Sequence, residues 1–133
     1  MRVAFDHVGL SVADLEAAEA FYTTAFGFAR QLAFELTPHP IRGVMLTHPD
    51  GFRLELFEHA ASVPGPHAAN PIEAHATRGY NHFALRSADI DRLWERAIEA
   101  GASPVLVPAD SPEPGVRFAF LADPEGNLVE LVG

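Results

Sequence analysis

The chain has 133 residues, a formal net charge of −9 and no Cys. Its length suits one compact domain, and a hydrophobic share of 48% suffices to fill a core. An acidic balance with no Lys/Arg cluster argues against nucleic acid or an anionic membrane as partner, and the lack of Cys excludes disulfides, a thiolate nucleophile and Cys-ligated metal.

Phe5–Val12 alternates in polarity and predicts a first strand. Asp14 then stands as the N-cap of a helix to Ala25, with Leu15, Ala18, Tyr22 and Ala25 on one face and Gly27 as its C-cap. Three strands are expected next: Ala29–Leu36, Arg42–Thr47 and Arg53–Glu58. Residues 60–78 hold Pro64, Gly65, Pro66 and Pro71 and read as a linker loop. Beyond it, Tyr80–Arg86 reads as a strand. Asp89 caps a helix that buries Ile90, Leu93, Trp94, Ala97 and Ile98 and ends at Gly101. Strands are expected at Pro104–Val107, Val116–Leu121 and Leu128–Val132, with a Pro-rich loop at Pro108–Gly115. The opening "MRVAFDHVGL" lacks a signal-peptide apolar run, and no stretch reaches the roughly 18 apolar residues of a membrane helix. With the lack of Cys, this leads to the expectation of a cytoplasmic chain.

The order β-α-β-β-β thus occurs twice, and the residues repeat with it. "DHVGLSVADL" (Asp6–Leu15) lies over "NHFALRSADI" (Asn81–Ile90) at an offset of 75. "HPDGFRLELF" (His48–Phe57) lies over "DPEGNLVELV" (Asp123–Val132) at the same offset, and Arg42 lies over Arg117. One domain, 1–133, is expected, with module one at 1–59, the linker at 60–78 and module two at 79–133. The fold class is α+β.

The repeat pairs four residues that carry chemistry. His7 matches His82 in the first strand of each module, and Glu55 matches Glu130 in the last. Alternation sets His7 on a face with Phe5, Gly9 and Ser11, and leaves Val8, Leu10 and Val12 to pack on the helix. It likewise sets Glu55 opposite Leu54 and Leu56, and Glu130 opposite Val129 and Leu131. Each module therefore turns one His and one Glu to the face its helix leaves free. Two imidazoles and two carboxylates suit a borderline divalent metal, and two carboxylates neutralise its charge.

These segments resemble the vicinal oxygen chelate superfamily, which includes glyoxalase I, methylmalonyl-CoA epimerase, extradiol dioxygenases and bleomycin-resistance proteins. The resemblance rests on "DHVGLSVADLEAAEAFYTTAFGF", "GFRLELFE", "NHFALRSADI" and "DPEGNLVELVG". It implies paired βαβββ modules forming a half-open mixed sheet around one divalent ion (Ni, Zn, Co, Mn or Fe), with His7, Glu55, His82 and Glu130 as ligands. Four retained ligands resemble the glyoxalase and epimerase branch more than the three-ligand dioxygenases or the bleomycin-binding members. The implied activity is that of a lyase or isomerase that abstracts a proton beside a carbonyl of a small substrate, with Glu130 as the first choice of base and Glu55 the second. The alternatives are an Fe(II)-dependent extradiol-type dioxygenase and a non-catalytic binding or resistance protein. Glutathione-dependent glyoxalases place Arg four residues after the first His; here that residue is Ser11, which sets glutathione in doubt. The resemblance also implies a homodimer.

The other five histidines, His39, His48, His59, His67 and His75, read as solvated, with His48 in a turn because it matches Asp123. Arg42 and Arg117 read as exposed strand residues open to an anionic substrate. Phe118 and Phe120 read as core, and Tyr80 as a pocket candidate beside His82.

Overall fold

A computed structural model describes residues 1–133. Its elements run β1 (His7–Ser11), α1 (Leu15–Phe26), β2 (Ala29–Glu35), β3 (Ile41–Thr47), β4 (Arg53–His59), α2 (Pro71–Ala74), β5 (Phe83–Arg86), α3 (Ile90–Glu99), β6 (Ser103–Asp110), β7 (Arg117–Ala122) and β8 (Leu128–Val132). The chain forms two compact units, Met1–Pro64 and Gly65–Gly133. Each is a βαβββ module with an open four-stranded mixed sheet, in the orders β1-β4-β3-β2 and β5-β8-β7-β6. The α+β class and the tandem modules are as the repeat predicts.

In the first unit β1 lies parallel to β4, while β4, β3 and β2 run antiparallel. A parallel pair needs a crossover, and α1 begins that return across one face of the sheet. Asp14 caps α1 by accepting from the Ala17 N–H at 2.9 Å, and Glu58 accepts from the Leu15 N–H at 2.8 Å. Such a cap stabilises a helix by about 1 kcal/mol. Gly27, at φ 78°, ends the helix with its N–H donating to the Thr23 carbonyl. The covered face is wider than the spacing suggests, since Phe21 and Phe26 join Leu15, Ala18, Tyr22 and Ala25 in burial. They meet alternate strand residues that are sealed from water: Val44 and Leu46 of β3, and Leu54 and Leu56 of β4.

The second unit repeats the plan. β5 pairs parallel with β8, and β8, β7 and β6 run antiparallel. Asp89 accepts from the Arg92 N–H at 3.0 Å and starts α3. Only Ile90 and Ala97 of α3 are fully buried; Leu93, Trp94 and Ile98 stay half-exposed. Ala119, Leu121, Val129 and Leu131 form the sealed side of the sheet.

Several boundaries differ from the prediction. β1 begins at His7 and not Phe5, because its ladder partner β4 begins at Arg53. β5 begins at Phe83, so Tyr80 and His82 precede the strand. β6 continues to Asp110 and takes in Pro108, which the sequence assigned to a loop. An edge strand tolerates the missing N–H, and the register shift between Leu106 and Ala109 falls on that proline. The segment 60–78, read as loop, carries the short helix α2, capped by Asn70 with Pro71 in its first turn.

The turns before β4 and β8 are the same turn used twice. His48 N–H donates to the Phe52 carbonyl and Gly51 N–H to the His48 carbonyl. Asp123 and Asn127, and Gly126 and Asp123, repeat both bonds. Gly51 at φ 85° and Gly126 at φ 91° occupy the left-handed region, which favours residues without Cβ. His48 also has the expected turn role: its Nδ1 accepts from the Asp50 N–H, as Asp123 accepts from that of Glu125.

Candidate metal centre

Each unit brings one predicted His to its predicted Glu. In the first, parallel pairing sets Gly9 against Glu55 and His7 against Arg53. His7 and Glu55 thus share a face, diagonal across two strands, on the side away from α1. A side chain at Gly9 would meet nothing within 4 Å, so the space before Glu55 is open. His7 Nε2 lies 3.5 Å from Glu55 Oε1. In the second unit Ala84, another small residue, pairs with Glu130. There His82 Nε2 lies 3.0 Å from Glu130 Oε2. All four side chains are partly shielded, at 36% and 19% exposure for His7 and Glu55, and 22% and 21% for His82 and Glu130.

The opposite ring nitrogen is held in both units. His7 Nδ1 donates to Asp6 Oδ2 and His82 Nδ1 to Asn81 Oδ1, each at 2.5 Å. Nδ1 held in this way turns each Nε2 toward the neighbouring carboxylate, and the tautomer protonated at Nδ1 would offer a cation the Nε2 lone pair. This is how metal-binding histidines are oriented by an outer oxygen. Each unit thus presents one imidazole and one carboxylate, donor types that suit a divalent cation of borderline softness.

Asp6 and Asn81 were not singled out from the sequence. A polar residue ahead of a strand reads as a turn residue, although the repeat does lay Asp6 over Asn81. Asp6 also accepts from Arg53 Nη2, and Arg53 Nη1 donates to Gln31 at 3.1 Å. The bond from His7, then that from Arg53, holds the Asp6 carboxyl below its ordinary range.

Phe120 belongs to the core as expected, and the register adds which face it serves. It is buried, at 5% exposure, but it pairs with Glu130 across β7 and β8 and so lies on the face of the site. Its ring meets the His82 imidazole edge-on, with centroids 4.9 Å apart. Phe118, half-exposed, shares that face and packs on Phe120 at 6.1 Å. Tyr80, expected beside His82, is 68% exposed.

Arg42 and Arg117 do not meet the face of the site. Arg42 alternates with Val44 and Leu46 on the helix-covered side, where it holds Glu16 and Glu58. Arg117 is held by Asp91 of α3 in the same way. Asp14, Glu16 and Glu58 form a further acidic group, with ligand atoms within 4.8 Å of one another. Their oxygens already accept from Ala17 N–H, Leu15 N–H and the Arg42 guanidinium. That group is the capped start of α1, and Arg42 holds the Glu16 and Glu58 carboxyls below their ordinary range.

The likeness to known proteins extends over the whole chain. An uncharacterised protein of Pseudomonas aeruginosa is 34% identical over 98% of this chain and 88% of its own. A 2-epi-5-epi-valiolone epimerase of Actinomyces sp. is 29% identical over 98% of this chain and 79% of its own. A lactoylglutathione lyase of Arabidopsis thaliana is 25% identical over 96% of this chain, which spans only 43% of that protein. Among solved structures, the glyoxylase/bleomycin resistance protein/dioxygenase domain from Frankia sp. EAN1pec has the same fold, with a TM-score of 0.80 at 18% identity over 99% of this chain and 98% of its own. Residues 4–131 match the family described as the Glyoxalase/Bleomycin resistance protein/Dioxygenase superfamily. The chain belongs to that superfamily, as its paired modules and repeated motifs imply.

Proposed function

We propose that this protein is a divalent-metal-dependent lyase or isomerase that takes a proton from the carbon next to a carbonyl in a small substrate. The observation that carries the reading is the twofold occurrence of one device: a histidine fixed at Nδ1 whose Nε2 faces a glutamate. His7, Glu55, His82 and Glu130 would hold the ion. A bound divalent ion would supply Lewis-acid stabilisation of negative charge developing on the substrate oxygen.

The chain's own residues supply the proton chemistry. Glu130 is the first base: its carboxylate is partly exposed, beside His82 and opposite Phe120. The Phe120 ring shields one side of that pair from water, which strengthens its interactions with a charged partner. Glu55, facing the open space before Gly9, is the second candidate. A positioned carboxylate base contributes roughly 10²- to 10⁴-fold to such a step. The names of the Arabidopsis and Actinomyces relatives, a lyase and an epimerase, support the same reaction class. Ser11 disfavours glutathione as thiol, and the engagement of Arg42 and Arg117 on the helix side disfavours them as substrate anchors. A homodimer in the cytoplasm is the expected form; no helix here is long and apolar enough to cross a membrane.

The test is metal analysis of protein purified without chelator, for the parent, Glu55→Gln and Glu130→Gln. Solvent-deuterium incorporation into candidate carbonyl substrates is measured alongside. The expected result is a bound divalent ion in the parent, reduced in Glu55→Gln, and lost deuterium exchange with metal retained in Glu130→Gln. Full exchange in Glu130→Gln would remove it as base. Normal metal content in Glu55→Gln with Fe(II)-dependent O₂ uptake would favour ring cleavage, and a parent that binds no divalent ion would favour a binding protein.

A further inference from the structure

The two His–Glu pairs are matched by the repeat, but their supports are not. Behind His7 stands a carboxylate, Asp6, braced by Arg53 and through it Gln31. Behind His82 stands a neutral amide, Asn81. The positions that match Arg53 and Gln31 at the offset of 75 are Leu128 and Leu106, which carry no polar group to brace it. Charge-assisted hydrogen bonds are roughly twice as strong as neutral ones, and an anionic partner at Nδ1 raises the donor strength of Nε2. Arg53 is itself tied to the strand whose register sets Glu55, so brace and ligand share one element.

We propose that Arg53 and Asp6 form a positioning relay that makes His7 a stronger imidazole donor than His82, whose support is the neutral Asn81. This rests on the metal reading above and deepens it. The unit with the neutral support also holds the residue assigned as base, whose carboxylate must be free to take a proton. Asp6 and Arg53 act only through His7 and are positioning residues.

Two measurements separate this inference from the reading it rests on. The first is the Zn²⁺ dissociation constant, by competition with a chromogenic chelator, for the parent, Asp6→Asn and Asn81→Asp. Asp6→Asn gives His7 the support His82 has and should weaken binding about tenfold, at the low end of the roughly 10- to 100-fold range for outer-shell partners. Asn81→Asp should strengthen it. The second is the tautomer of His7 in metal-free protein, read from the nitrogen shifts of the imidazole by NMR. The parent should hold the proton at Nδ1, and Asp6→Ala should move it to Nε2 while His82 keeps its pattern. Asp6 is 65% exposed, so truncation removes little packing. Zn²⁺ affinities within twofold in Asp6→Asn and Asn81→Asp, or an unmoved His7 tautomer in Asp6→Ala, would overturn the relay. If the parent bound no Zn²⁺, the metal reading and the donor ranking would fail together, and the tautomer would still decide whether Asp6 positions His7.

Discussion

Truncating Phe120 tests whether the wall of the second His–Glu pair is also part of what holds the sheet together. Phe120 is 95% shielded from water by its 5% exposure, packs edge-on to His82 and touches Phe118. A buried Phe covers about 150–250 Å². At about 25 cal/mol per Å², loss of the ring accounts for roughly 3 kcal/mol once the part that Ala keeps is subtracted. The unfilled space adds to this, which gives an expected cost of about 3–5 kcal/mol for Phe120→Ala. Met45 takes the matching place opposite Glu55 in the first unit. Phe120→Met therefore copies a solution the protein already uses, and should cost about 1–2 kcal/mol, a volume-conserving swap plus the lost ring contact. Urea unfolding of metal-free protein followed by circular dichroism gives both numbers, provided the slope is unchanged. A loss below about 1 kcal/mol for Phe120→Ala, or equal losses for the two variants, would show that the ring is not packed as described.

Two further predictions concern the scaffold. Arg42 holds Glu16 and Glu58 below the ordinary value of 4.5, so its stabilisation is fully present above that pH and lost as pH falls through their lowered values. Arg42→Leu should therefore lower the urea midpoint at neutral pH, with the gap closing in acid; a gap of constant size would contradict this. Asp123 is 3% exposed and accepts from the Glu125 and Asn127 N–H groups and the Asn127 side chain. Asp123→Ala should cost about 1–3 kcal/mol in thermal unfolding, against less for His48→Ala, whose half-exposed ring accepts one backbone N–H. Equal losses would show that burial does not set the difference.

The residues read from the sequence and those found in the structure differ in an orderly way. The placement of His7 beside Glu55 and of His82 beside Glu130 was legible because strand alternation has a period of two and the repeat doubled the evidence. Asp14, Asp89 and Gly27 were legible because helix ends need particular side chains and dihedrals. Phe120 was legible as core, but not the face it serves, because a buried aromatic on a strand does not announce its side; only its pairing with Glu130 decides that. Asp6 was passed over because its partners, His7 and Arg53, are set by the register of β1 on β4. Arg42 and Arg117 looked available to substrate because Glu16 and Asp91 sit 26 residues earlier, on helices, and Glu58 lies on a neighbouring strand. Pro108 looked like a loop residue because nothing local marks β6 as an edge.

The paired glycine turns give the protein a dependence on length that its chemistry alone would not suggest. The turns of His48–Phe52 and Asp123–Asn127 fix where β4 and β8 start against their neighbours. Adding a single residue there would exchange the two faces of the following strand, setting Glu55 among the aromatics under α1 and presenting Leu54 in its place. The composition of each turn can drift, as His against Asp at its first position already shows, while its residue count cannot. Loss of bound metal with helix content retained, after one residue is inserted beside Gly51, would display that dependence directly. Sheet parity makes these two hairpins behave as a counting device: variation that preserves the count is filtered by stability, and variation that breaks it inverts the inside and outside of the site.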